Sequence, residues 1–270
     1  MTWLESILLG VVQGLTEFLP VSSDGHLSAV EMLLPRFRQV GVLFDVMVHV
    51  GTLTAVIVYF RKTLRHELTG LFAHDPGRRS ASWKLALLVV AATIPTGIVG
   101  LLLKRAVEET KTDPTFVGSM EILTGLFLML SLFARKTGRE QADTTVWDAI
   151  LIGVVQGLAV LPGLSRSAST IAFALLVGLA ARWAATFSLL ILIPAVLGAS
   201  VLEISSAWEE RGGGFFIGSD FAKYVLGAAV AGLVGYFAIG WLIRAVVARR
   251  LYWFAIYCFL FGLALIFLFP

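Results

Sequence analysis

The chain contains a single cysteine among its 270 residues, and only 14% of its residues carry a charge. One cysteine, Cys258, excludes an internal disulfide framework and a thiolate metal cluster. So little charge leaves too few polar side chains to cover the surface of a soluble globule. Instead, 58% of the residues are hydrophobic and the mean hydropathy is +0.88. These values predict an integral membrane protein.

Apolar runs long enough to cross the hydrocarbon core of a bilayer recur along the chain. We predict six of them, at about 42–60, 84–103, 116–134, 184–203, 221–243 and 251–269. The first apolar segment follows Met1 closely, has no basic stretch before it and contains Gln13 and Glu17. We therefore expect it to be retained and not cleaved as a signal peptide. The expected fold class is an all-α, polytopic membrane protein.

Two segments about half the chain apart are near copies of each other. Residues 10–28 read GVVQGLTEFLPVSSDGHLS, and residues 153–171 read GVVQGLAVLPGLSRSASTI. In each copy a proline interrupts an apolar helix, and the small and hydroxyl residues that follow favour a turn. We predict two re-entrant hairpins, each a helix, a turn and a second short helix, at about 4–34 and 146–180.

The distribution of basic residues indicates the orientation of the spans. The connection at 61–84 and the one around 135–139 are basic, so both are expected in the cytoplasm, whereas the connection around 209–220 leans acidic. This alternation requires the second hairpin to be re-entrant. It also makes the first hairpin enter from the outside and the second from the inside.

An odd number of spans separates equivalent points of the two copies, so the copies have opposite orientations. We predict one membrane domain over residues 1–270, built from inverted repeats at about 1–140 and 141–270. In proteins of this kind, broken helices mark a site near the middle of the membrane. Function is therefore expected where the two hairpins meet.

Ionisable side chains occur in both predicted hairpins, which is costly inside a membrane and marks a functional site by default. Glu17, Asp24 and His26 lie in the first copy and Arg166 in the second. Arg166 is expected at the start of a short helix. Its guanidinium is flanked in sequence by the hydroxyl residues Ser165, Ser167 and Thr170. Such a group is suited to bind phosphate.

The first copy also supplies the parts of a phosphoryl-transfer site. Ser23 is a candidate nucleophile and His26 a candidate base or acid, although His26 could equally be the nucleophile. Glu17 could orient the histidine or hold a divalent cation. A transporter or flippase of a phosphorylated lipid is the alternative, since inverted repeats are typical of transporters. The presence of Ser23 and His26 in one copy only favours an enzyme.

At these positions the chain resembles the undecaprenyl pyrophosphate phosphatases of the bacitracin-resistance type. The matching motifs are residues 13–23 with Gly25 and His26, and residues 162–167 with Thr170. The resemblance extends over essentially the whole chain. It implies a bacterial inner-membrane enzyme that removes the terminal phosphate of undecaprenyl diphosphate and recycles this lipid carrier for cell-wall synthesis.

The resemblance also implies roles for individual residues. The positions regarded as catalytic are Glu17, Ser23, His26 and Arg166. The positions expected to bind substrate are Gln13, Ser22, Gly25, Ser165, Ser167 and Thr170. A divalent cation, Mg²⁺ or Ca²⁺, is expected on the same ground, with Glu17 as a candidate ligand. Asp24 is a second candidate ligand because of its carboxylate, not because of the resemblance. The expected partners are the polyprenyl diphosphate, membrane lipids and a second copy in a homodimer, with no nucleic acid and with the active site facing the periplasm.

Four positions depart from or vary within the family pattern. Gln13 stands where the family uses either glutamate or glutamine, and Asp24 replaces a serine or threonine. Thr186 stands where a glutamate usually precedes Phe-Ser, and Cys258 where an arginine commonly follows tyrosine.

Overall fold

The computed structural model describes residues 1–33, 41–134, 138–211 and 221–268, almost all of them helical. Within these ranges the helices are α1 (Trp3–Thr16), α2 (Ser23–Leu33), α3 (Gly41–Tyr59), α4 (Arg61–Gly70), α5 (Pro76–Thr110), α6 (Pro114–Ser131), α7 (Val146–Leu158), α8 (Arg166–Leu176), α9 (Ala181–Arg211), α10 (Phe221–Val247) and α11 (Tyr252–Leu268). The only β pairing in the described part of the chain is an isolated bridge between Arg139 and Leu179. The all-α prediction is confirmed.

Each of the six predicted spans coincides with a helix: α3, α5, α6, α9, α10 and α11. By length and apolar composition, α5, α6, α9 and α10 can each cross a membrane. Helix α3 qualifies together with α4, from which it is bent by 69°, and α11 is shorter, with 17 residues. The polytopic membrane class is therefore confirmed, while six crossings stays a prediction.

Both predicted hairpins are a helix, a break and a second helix. The first break separates α1 from α2 and the second separates α7 from α8, although residue 34 of the first predicted hairpin lies outside the described residues. Both first helices begin at a threonine with a capping box, Thr2 with Glu5 in α1 and Thr145 with Asp148 in α7. The repeat visible in the sequence is thus also a repeat of local structure.

A residue with a left-handed backbone follows the proline in each break. Gly163 has φ of +88° and Ser22 has φ of +63°. For a serine this conformation costs about 1–3 kcal/mol and persists only where neighbouring contacts hold it. Two such contacts are present: Ser22 Oγ accepts a hydrogen bond from the Gly25 N–H, and the Ser22 carbonyl accepts one from the His26 N–H, both at 3.4 Å. The strained turn therefore belongs to the first hairpin's polar segment.

The first helix of each hairpin packs against a helix from the other half of the chain. Helix α1 contacts α10, α7 contacts α5, and α6 contacts α11. This exchange of partners is what inverted repeats of one domain would produce, and the repeat boundaries themselves stay a prediction. Close approach is possible because small residues lie at the crossings, with Gly14 against Ala231 and Gly153 against Ala92.

Parts of the connections used to predict orientation lie outside the described residues. These are Arg135 and Lys136 in the basic connection, and residues 212–220 together with the side chains of 207–211 in the acidic one. Arg139 is described, and its guanidinium pairs with Asp148 at the start of α7, at 2.5 Å between Nη2 and Oδ2. It also donates to the carbonyl of Val177, so it ties the start of the second hairpin to its end.

The α5–α7 crossing predicts a contrast between two glycine substitutions. A Cβ on Gly153 would overlap the backbone of Ala92. A Cβ on Gly97, which lies in α5 of the same helix pair, would meet no atom within 4 Å. Gly153→Ala should lower the free energy of unfolding by about 1–3 kcal/mol through overpacking. It should also lower the temperature of thermal unfolding in detergent. Gly97→Ala is the matched control and should unfold at or slightly above the wild-type temperature. Equal unfolding temperatures would contradict this view of the crossing.

Candidate functional site

The breaks of the two hairpins meet inside the protein. Arg166 Nη2 donates to Glu17 Oε1 at 2.5 Å, and Ser167 Oγ donates to the Leu19 carbonyl at 3.4 Å. The side chain of Glu17 is 1% exposed and that of Arg166 is 24% exposed. A buried carboxylate therefore holds an arginine that still has access to an open space. This junction joins residues that are 149 positions apart in sequence.

Glu17 is the centre of the hydrogen bonds at this junction. Its Oε2 accepts from Ser23 Oγ at 2.9 Å and from Gln13 Nε2 at 3.0 Å, and it lies 3.6 Å from His49 Nε2. Gln13 reaches Glu17 because residues four apart share one face of a helix. The hydroxyl proton of Ser23 therefore points at a carboxylate.

His26 contacts a different set of groups. Its Nδ1 lies 2.7 Å from the Ser22 carbonyl, and its Nε2 lies 2.6 Å from the hydroxyl of Tyr257. The ring also stacks on Phe261, with 4.2 Å between centroids. Both ring nitrogens are thus paired with groups other than Ser23. In this arrangement Glu17, and not His26, is the hydrogen-bond partner of the serine.

The hydroxyls of the second hairpin stiffen the start of α8. Ser165 is the N-cap, and its Oγ accepts from the Ala168 N–H at 3.2 Å. Thr170 donates to the carbonyl of Arg166 at 2.8 Å. Thr124 of α6 accepts a hydrogen bond from the Ser165 N–H at 2.9 Å and so anchors the break. Arg166 is consequently the first residue of a firmly capped helix, whose free N–H groups and dipole favour an anion.

Asp24 and Gly25 complete the set predicted from sequence. The side chain of Asp24 is exposed, and it interacts electrostatically with His49 and Glu17. Gly25 is buried, and a Cβ at this position would lie 2.5 Å from Glu121 Oε1. A side chain at position 25 would therefore force the Glu121 carboxyl to move.

The structure adds polar residues that sequence reasoning missed. His49 and Glu121 each lie inside an apolar run that was predicted only as a span. The criterion that selected Glu17, an ionisable residue at membrane depth, applies equally to both and could have found them. Thr124 and Tyr257 gave no comparable signal, because hydroxyl and aromatic residues are ordinary in membrane helices.

The donor groups fit a cation shared with a substrate better than a resident one. Among the described residues, no three or more histidine, cysteine, aspartate or glutamate side chains are grouped so that they could hold a metal ion. The Oε1 atom of Gln13, however, is buried without a hydrogen-bond partner next to Glu17. Mg²⁺ is commonly bound through one or two carboxylates, with waters and substrate phosphates as the other ligands. Glu17 supplies one carboxylate, and the amide oxygen of Gln13 is a neutral ligand beside it.

An all-α membrane protein with a polar site at the junction of two broken helices defines a class, and comparison with known sequences defines the family within it. Residues 6–264 match the family model described as bacitracin resistance protein BacA. The chain belongs to this family.

Curated relatives that carry the name undecaprenyl-diphosphatase match nearly the whole chain. The protein of Syntrophotalea carbinolica is 43% identical over 263 residues, which cover 97% of each chain. That of Carboxydothermus hydrogenoformans is 39% identical, over 97% of this chain and 95% of its own. The protein of Shouchella clausii, numbered 1 in its name, is 35% identical, over 100% of this chain and 97% of its own.

Proposed function

We propose that this protein is an undecaprenyl-diphosphatase, a membrane enzyme that hydrolyses undecaprenyl diphosphate to undecaprenyl phosphate and inorganic phosphate. The observation that carries this proposal is the buried junction in which Glu17 contacts both Arg166 and Ser23. In this junction one carboxylate contacts both the guanidinium that would bind phosphate and the hydroxyl that would act as nucleophile. The names of the relatives support the same activity and disfavour the transporter alternative.

In this proposal the diphosphate binds where the two hairpins meet. The hydrogen bond to Glu17 already fixes the Arg166 side chain. Binding of phosphate to its remaining N–H groups therefore costs little further side-chain entropy. The N-terminus of α8 adds backbone donors and a favourable dipole for the phosphate oxygens. The apolar tail of the substrate then extends into the surrounding lipid.

Ser23 is the proposed nucleophile. Its oxygen attacks the terminal phosphorus, its proton passes to Glu17 Oε2 at 2.9 Å, and the bond to the bridging oxygen breaks to release undecaprenyl phosphate. Water then attacks the phosphorus of the phosphoserine and gives a proton to His26. The bond from phosphorus to the Ser23 oxygen breaks, that oxygen regains its proton from Glu17, and inorganic phosphate leaves. The alternative in which His26 attacks requires its Nε2 to exchange Tyr257 for phosphorus.

A divalent cation, Mg²⁺ or Ca²⁺, is proposed to bind together with the substrate. Glu17 and the Oε1 of Gln13 would hold it, and Asp24, which interacts electrostatically with Glu17, is a further candidate ligand. When bound, the cation would neutralise charge on the phosphate oxygens. We further propose the bacterial cytoplasmic membrane as the location, with the site open to the periplasm. The homodimer stays a prediction.

The test is phosphate release by the purified protein from undecaprenyl diphosphate, in detergent, with and without EDTA. We expect release that depends on protein, stops in EDTA and returns on addition of Mg²⁺ or Ca²⁺. Release that continues in EDTA would contradict the cation proposal alone. Folded protein that binds the lipid without releasing phosphate would overturn the proposed function in favour of a carrier.

A further inference from the structure

Two polar side chains on the wall behind His26 have no part in the mechanism described above. They are Glu121 of α6 and Tyr257 of α11, and the two helices that carry them pack against each other. Both lie next to the ring of His26, Glu121 near Nδ1 and Tyr257 at Nε2. We refer to Glu121 and Tyr257 as the back-wall pair.

Tyr257 contacts the one ring nitrogen of His26 that can accept a proton. The Ser22 carbonyl can only accept a hydrogen bond, so Nδ1 of His26 carries a proton. In the neutral ring, Nε2 is then the acceptor, and the Tyr257 hydroxyl donates to it at 2.6 Å. The ring is also fixed in its plane by stacking on Phe261. Position, tautomer and hydrogen-bond partner of His26 are thus all set.

Glu121 is the less expected member of the pair. It is completely buried, and in the described part of the chain its carboxyl group has the weak thiol donor of Cys258 beside it but no N–H or O–H hydrogen-bond partner. Leaving such a group unsatisfied is costly, so a purely structural position would favour an apolar residue or a paired one. Its Oε1 instead lies 4.0 Å from His26 Nδ1. Gly25, which has no Cβ, makes this approach possible.

The carboxyl group of Glu121, the imidazole ring of His26 and the phenol of Tyr257 are therefore neighbours in this order. In other enzymes a buried carboxylate beside a histidine orients the ring and stabilises the charge it acquires when it takes up a proton. Tyr257 differs from Glu121 because 43% of its surface is exposed. One member of the pair is thus buried and the other is exposed.

We propose that the back-wall pair assists proton transfer to His26, an inference that rests on the proposed function. When Nε2 takes the phenolic proton of Tyr257, the phenolic oxygen takes a proton from the water that attacks phosphorus. The phenol is neutral before and after, and the positive charge resides on His26, facing Glu121. Tyr257 is thus a relay residue and Glu121 a positioning residue.

The first test compares Tyr257→Phe with Tyr252→Phe, a control in the same helix. The phenylalanine at 257 keeps the ring and removes only the hydroxyl. We expect kcat for phosphate release to fall about 10-fold with KM changed less than about twofold. The Tyr252 variant should match wild type. Wild-type kcat in Tyr257→Phe would overturn the relay, whereas absence of release by wild type itself would count against the proposed function.

A spectroscopic measurement separates this role from simple packing. The chain has four histidines, so ¹⁵N labelling of histidine, with His26→Gln to assign its signals, can report the His26 tautomer. In wild type we expect a protonated Nδ1 and a hydrogen-bonded, unprotonated Nε2. In Tyr257→Phe the Nε2 signal should shift toward that of a free acceptor, and an unchanged signal would contradict the hydrogen bond.

Glu121→Gln tests the other member of the pair with nearly the same volume. We expect a lower kcat, an unchanged KM and an unfolding temperature close to that of wild type, since the glutamine amide oxygen can still accept from the Cys258 thiol and no N–H or O–H hydrogen bond is lost. Glu121→Leu should give the same kinetic defect. A wild-type kcat in both variants would show that the carboxyl does not assist His26.

Discussion

Replacement of Arg166 with alanine should lower kcat/KM for phosphate release by about 10³-fold, the effect typical of losing an arginine that stabilises a transferring phosphoryl group. The guanidinium is fixed by Glu17 at the junction and is still partly exposed. Arg105→Ala is the matched control, because Arg105 pairs with Glu109 on an exposed helix surface. This control should retain wild-type kinetics.

Arg166→Ala should also destabilise the protein, because it leaves the Glu17 carboxylate buried without the positively charged guanidinium that pairs with it. Breaking a buried pair from one side costs about 3–5 kcal/mol. Adding Glu17→Gln to Arg166→Ala should recover most of the unfolding temperature while release stays absent. Recovery of phosphate release in this double variant would show that the pair is only a structural link between the hairpins.

Arg166→Lys separates charge from geometry at the same position. Lysine keeps a positive charge near Glu17 but loses the planar set of five donors. The unfolding temperature should therefore stay close to that of wild type, while kcat/KM falls by about 10²-fold. If lysine supported full activity, a general positive charge would suffice and the oriented guanidinium would not be needed.

The sequence was sufficient to place Glu17 and Arg166 together, since both stand in broken copies of one apolar motif. It did not determine which groups pair within the site. Ser23 contacts Glu17, whereas His26 contacts Ser22 and Tyr257, directly after the left-handed backbone of Ser22. A motif that reads as a serine beside a histidine therefore folds with the two side chains bonded to different partners.

The fold shows the same division between pattern and geometry. Proline and small residues predicted both breaks because these residue types disfavour a continuous helix. Exchange of partners, with α1 on α10 and α7 on α5, has no comparable signal in one sequence. It follows from backbone contacts at Gly14 and Gly153, whose role becomes clear only when the opposing helix is known.

Ser23→Ala is expected to reduce phosphate release by about 10³-fold or more, since it removes the proposed nucleophile and leaves binding intact. Ser28→Ala in the same helix is the control and should behave as wild type. Substrate affinity, measured by binding of the lipid to the inactive variant, should change little, because Arg166 and the α8 N-terminus remain.

The identity of the covalent intermediate decides between the two candidate nucleophiles. With undecaprenyl diphosphate labelled in its terminal phosphate, an acid quench of wild type should trap a phosphoserine that is absent from Ser23→Ala. Phosphohistidine, which survives alkali and is lost in acid, would instead assign the attack to His26. That outcome would require His26 Nε2 to leave the hydroxyl of Tyr257, at 2.6 Å, and would make the contact between Ser23 and Glu17 a means of binding phosphate. Because the serine proton already points at a buried carboxylate, we expect the phosphoserine.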